Sequence, residues 1–252
     1  MIYGLTPVQA ARAVLERIAA IEINALLQIG VEVVERRPDG LYTIRMGRHT
    51  FTSRSDTPLK EGHGYWAQLV QTKEGVVQLK RLHPKPLLLQ KNFDGALPPD
   101  LFSRLRDSGE PMQAMKEQLL QALAHAPNKE SFQNLTQLLL SLHAGVLTIP
   151  WKREGRPALL QMRQSRKEED LNRKRVEFYT AMNNLGPIEG TLLLAGRERI
   201  LNLSVHYPRS VALLERRRDA LQGFDRVEIV RKEGKIAPFW DATGTSLLDI
   251  KG

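Results

Sequence analysis

Between Ile29 and Leu82 the chain breaks into short runs with partial apolar–polar alternation, separated by turn residues, and this spacing limits the fold most. Glu32–Glu35 leads into Pro38-Asp39-Gly40, a strong turn signal. Leu41–Met46, His49–Arg54, Tyr65–Thr72 and Val76–Leu82 follow, with glycines or charged residues between them. Short strands at this spacing suit a small closed sheet, so the expectation is a β-barrel of OB or SH3-like type over residues 29–86. Pro84 and Pro86 end it, because proline cannot continue a ladder.

Helical spacing surrounds this block. Thr6 and Pro7 suit the start of a helix in which Val8, Ala11, Leu15, Ile18 and Ala19 share one side, giving an N-terminal helix over 1–28. After Pro98-Pro99-Asp100 a helical segment over 87–145 is expected. Pro111 stands in a first turn, Asn128 caps, and Leu135, Leu138, Leu139 and Leu142 form a stripe at i, i+3, i+4, i+7.

From 146 to 252 strands return. Leu147–Trp151 and Ala158–Arg163 read as a hairpin, followed by Lys174–Met182, Ile188–Leu194 and Ile200–Tyr207. Pro208 opens a helix to Leu221, Gly223 closes it, and Arg226–Arg231 is a last strand. Leu247–Ile250 adds an edge strand. The expected fold class is therefore α+β: an N-terminal helix and small barrel, a helical middle, and a C-terminal α/β domain with a mixed sheet and one main helix.

The chain holds no cysteine, which excludes disulfides, thiolate metal sites and a thiol nucleophile. No P-loop, dinucleotide fingerprint, nucleophile elbow or His-Glu-x-x-His is present. The six histidines never recur at i+2 to i+4, so no local metal site is expected. Glu168-Glu169-Asp170 sits among basic residues and reads as a solvated face. The expectation is a non-enzymatic binding protein with no cofactor and no membrane span, because charges interrupt every apolar run before the roughly 18 residues a span needs.

The net charge of +9 is spread over both ends and interleaved with acids. Arg153, Arg156, Arg163, Arg166, Arg173 and Arg175 are placed to gather on one hairpin face, while Arg216-Arg217-Arg218 on a helix point three ways. A barrel-based nucleic-acid-binding protein is thus the alternative, with Tyr42, Phe51, Tyr65 and Trp66 as candidate stacking residues.

The stretch Val176-Glu-Phe-Tyr-Thr-Ala-Met-Asn-Asn-Leu-Gly-Pro-Ile-Glu-Gly-Thr-Leu-Leu-Leu194, then Ile200–Val205 and Ser210–Leu221, resembles the C-terminal domain of the flagellar hook-length control protein family. In that resemblance Leu185-Gly186 is the Leu-Gly pair ending one strand. Ile188 is the apolar position of the next, Leu214 and Leu221 are the apolar helix positions, and Val227 and Ile229 lie in the last strand. Gly190 stands where the family strand carries a branched apolar residue, and no long Gln/Ser/Pro-rich region separates barrel from C-domain. The resemblance implies protein–protein contact with the cytoplasmic domain of the flagellar type III export gate, switching export from hook to filament subunits. It implies a contact surface around Leu185, Gly186, Pro187, Ile188 and Leu221. It also implies a cytoplasmic protein, or one exported through the flagellar apparatus.

Overall fold

Alternation of buried and exposed positions builds the first sheet. In β1 (Ile29–Arg36) Val31 and Val33 are buried while Glu32 and Val34 face outward. β2 (Tyr42–Met46), β3 (His49–Ser53), β4 (Gly64–Gln71) and β5 (Val77–Pro84) complete five strands in the order β3-β2-β1-β4-β5. The N-terminal half of β1 pairs with β4 and its C-terminal half with β2. Val31, Val33, Tyr42, Ile44, Leu59, Tyr65 and Ala67 form a small core of their own. These coordinates are a computed structural model that describes residues 17–18, 29–55, 57–71, 77–91, 93, 97–98, 100–153, 155–164, 173–196 and 198–242. The expected N-terminal helix, apart from a helical turn at Arg17 and Ile18, lies outside the described residues, as do the acidic run 168–170 and the edge strand expected at 247–250.

Three helices follow a 3-10 turn at Leu87–Gln90. They are α1 (Leu101–Asp107), α2 (Pro111–Ala124) and α3 (Lys129–His143). Pro111 occupies the first turn of α2. Asn128 caps α3, its Oδ1 accepting from Ser131 N at 2.8 Å. Leu135, Leu138 and Leu142 are buried, each worth roughly 1.5–3 kcal/mol relative to exposure.

The second sheet has the order β11-β10-β9-β8-β7-β6. Its strands are β6 (Leu147–Arg153), β7 (Arg156–Gln164), β8 (Arg173–Met182), β9 (Gly186–Ala195), β10 (Glu198–Val205) and β11 (Arg226–Arg231). Neighbours from β6 to β10 are antiparallel. Only β11 joins in parallel, after the crossover through α4 (Pro208–Arg216) and a 3-10 turn at Arg218–Ala220. One apolar cluster joins α1, α2 and α3 to this sheet, running from Trp66 through Leu142 to Ile236.

The expected fold class is corrected by this architecture. Strand outweighs helix, 41% against 28%, and the molecule is mostly β, with a five-stranded and a six-stranded sheet. The C-terminal part is not α/β: successive strands from β6 to β10 pair antiparallel, and the one βαβ unit is β10–α4–β11. The first sheet has the five strands expected of the barrel, and its end strands β3 and β5 approach each other, though among the described residues no ladder joins them.

The sheets meet at Trp66. Tyr65 and Ala67 point into the small core, so Trp66, between them, points the other way into the large one, where it is fully buried. Its Nε1 donates to Met182 O at 3.0 Å. Replacing Trp66 with Phe strands that carbonyl and opens space beside it. A loss of about 2–3 kcal/mol is expected in urea denaturation, with far-UV signal retained.

Candidate functional site

The turn after β8 is built from Asn183, Asn184 and Leu185, and Gly186 takes φ +79°, a left-handed conformation that favours glycine. A Cβ here would lie 2.6 Å from the Tyr207 ring, so a second reason excludes larger residues. Leu185 is fully buried, and its carbonyl accepts from Ser210 Oγ at 2.9 Å, tying the turn to α4. Pro187 is buried, Ile188 is fully buried, and Leu221 is 2% exposed. Of the five residues that the resemblance marked as a contact surface, Leu185, Gly186, Pro187 and Ile188 thus come to the end of the second sheet beside Val205, while Leu221 lies toward its other end, ahead of the Arg226–Ile200 pair. All five lie beneath the surface, where they pack the turn and the helix.

Next to this turn a row of rings joins the two sheets. Trp66 and His83 lie 5.9 Å apart between centroids, His83 and His206 4.9 Å, and His206 and Tyr207 4.8 Å. The joint depends on a bulge. Between Trp66 and Gln68 the β4–β5 register shifts, and Arg81 takes φ +53° there. Arg81 O thereby accepts from Tyr207 OH at 3.0 Å. Lys85 Nζ donates to Asn183 Oδ1 at 3.1 Å and lies 5.7 Å from the Trp66 ring. Burial pushes His83 down to about 4 and lowers His206 as well, with nearby cations adding to both effects. Burial also raises the Tyr207 phenol.

The two faces of the second sheet differ. Register places Phe178, Ile188, Leu192, Leu201, Leu203 and Ile229 on one face, all buried. On the other face the segment Ile236–Ala242 covers β7 and β8. Gln161 pairs with both backbone groups of Trp240, at 2.5 and 3.3 Å, and Phe239 lies 6.5 Å from Tyr179. Asp241 Oδ1 holds the segment by accepting from Leu87 N and Ala242 N, each at 2.9 Å. Beyond that cover, Thr191, Leu193, Ile200 and Ser204 are half-buried, and Val230 on the end strand is 53% exposed. Lys232 and Glu189 form an ion pair across this area at 2.5 Å.

The arginines are largely engaged. Arg163 and Arg175 share Glu177, and Arg163 also stacks on Phe239 at 4.1 Å. Arg218 pairs with Glu215, and Arg216 Nε donates to Ala212 O, so this triplet points in separate directions. Arg166 lies outside the described residues. Of the four candidate stacking aromatics, Tyr42, Tyr65 and Trp66 are buried, and the two tyrosine hydroxyls accept from Leu59 N and Lys60 N. Phe51 is half-buried. No group of three or more metal-ligating side chains occurs among the described residues.

Sequence reasoning missed the ring row. Its members sit in three separate strands and loops, and no local spacing announces them. It also missed the half-open face, whose signal is the Val230 position in an end strand. Compared with protein-family models, with curated proteins and with solved structures, the chain matches none. Among the described residues no helix is long and apolar enough to cross a membrane.

Proposed function

We propose that this chain acts by protein–protein contact on the cytoplasmic domain of a flagellar type III export gate, as a hook-length-control-like factor that switches export specificity. The observation that supports the reading is the element order at residues 173–231. A strand, a buried Leu185-Gly186 turn, two alternating strands, a helix carrying Leu214 and a last strand with Val227 and Ile229 follow one another as the resemblance implies.

Within this reading the contact falls on the outer edge of β11 and the adjoining half-open face. β11 ends the sheet, so its outer N–H and C=O groups face no neighbouring strand among the described residues. A strand end of this kind accepts an added strand from a partner, with backbone hydrogen bonds supplying affinity and side chains such as Val230 supplying selectivity.

The test is capture of the purified gate domain by the full chain. Val230→Asp is expected to weaken binding at least tenfold, about 1.4 kcal/mol, with an unchanged denaturation midpoint. Val34→Asp, equally superficial but on the first sheet at 44% exposure, leaves binding intact. Failure of the native chain to bind the gate domain refutes the reading. Equal binding by native chain and Val230→Asp refutes the surface.

A further inference from the structure

The ring row between the sheets holds two histidines in a setting with no counter-charge. His83, on β5, is 3% exposed, and its Nδ1 lies 3.0 Å from Pro84 O. Its Nε2 is buried without a hydrogen-bond partner, and so is Nδ1 of His206, just beyond β10. The charged groups that act on the pair are Lys235 on His83 and Arg81 and Arg231 on His206. The first belongs to the segment after β11, the second to the β5 bulge and the third to the end of β11. All three are cations. The carboxylate of Glu233, between them in sequence, is engaged by Arg231 at 3.4 Å. Trp66 and Tyr207, at the two ends of the row, carry no charge near neutral pH. The backbone at Gly234 and Ile236 favours the protonated rings, against burial and the cations.

We infer that the His83–His206 contact is a pH-sensitive joint that holds the two sheets together when both rings are neutral and releases them when a proton enters. The geometry gives it leverage. The Trp66–Met182, Lys85–Asn183 and Tyr207–Arg81 bonds lie in or beside the ring row, so displacement of one ring loosens these three ties between the sheets.

The sign follows from linkage. A histidine whose pKa is lower docked than undocked binds protons better once released. The joint is at full strength above the ordinary value of about 6.5 and weakens as pH falls below it. With His83 at about 4 in the docked form, the docking equilibrium falls roughly tenfold per pH unit between those limits and then levels off. Buried Asp241 works in the opposite sense, because its carboxyl is raised and its protonation favours the docked form.

The experiment measures amide protection factors on the full chain from pH 7.5 to 4, together with the Cε1 resonances of both histidines. Expected is a progressive loss of protection at 64–67, 81–85 and in the 183–185 turn below pH 6.5, while the β7–β10 ladders stay protected. His83→Phe and His206→Phe, which keep a ring and remove the titration, hold protection at the joint across the range. Flat protection at the joint in the native chain overturns the inference, whether or not His83→Phe folds. So does release of the His206→Phe joint at the same pH as the native one.

Discussion

Ile188→Asp is expected to unfold the six-stranded sheet, and not merely to cut a surface contact. The side chain is fully buried between Thr180 on β8 and Val205 on β10. An unpaired carboxylate there costs more than about 4 kcal/mol, against a total stability of roughly 5–15 kcal/mol for a domain. Far-UV dichroism and a urea titration check it: the variant loses its cooperative transition or shifts it to a much lower midpoint. A native midpoint would contradict the burial of the turn. The consequence for binding assays is direct. Loss of gate capture by this variant reports unfolding, and the exposed Val230→Asp is the informative change.

The second large effect is expected at Gly190. Phe178 stands opposite it on β8 and Leu203 on β10, and the Phe178 ring lies across the glycine. An added Cβ would run into that ring and come within 2.9 Å of Asn202 O, a backbone atom fixed in the β9–β10 ladder. Gly190→Val should therefore cost about 3 kcal/mol through overpacking. Phe178→Leu shortens the ring side chain and should recover about half of that loss when combined with Gly190→Val. Equal valine costs in both backgrounds, read from denaturant midpoints, would show that the ring is not the obstacle. The pairing also explains the departure noted in the sequence. A branched residue at 190 and a phenylalanine at 178 exclude each other, and this chain holds the aromatic one.

Strand positions were legible because period-2 patterns and turn residues are local. Pro38-Asp39-Gly40 and Leu185-Gly186 both form the turns read from them, and Asn128 caps α3 as its type suggests. Helix length was less legible. Pro208 and Gly223 suggested one helix from Pro208 to Leu221, yet α4 stops at Arg216, and a 3-10 turn carries the chain to Leu221. Fold class was misjudged because pattern reports elements and not their pairing. Sheet order depends on which strands pair, and the separation of the small core from the large one on which side of β4 each residue faces. The burial of the marked residues was not legible for a related reason. Leu185, Gly186, Pro187, Ile188 and Leu221 are apolar or turn-forming residues, and such residues mark what a motif buries. Val230 shares the composition of its neighbours, and only the sheet order shows that it stands on an end strand.

The parallel placement of β11 also sets an order of assembly. From β6 to β10 each strand pairs with the one before it, so zipping proceeds by successive short closures. β11 cannot pair until residues 206–225 have folded across the sheet and brought Arg226 beside Ile200. It is laid down last, and it rests on the longest loop closure within its sheet. Amide exchange through partial opening is accordingly expected to be fastest there. The strand whose outer edge is proposed to meet a partner is thus also the one expected to let go first.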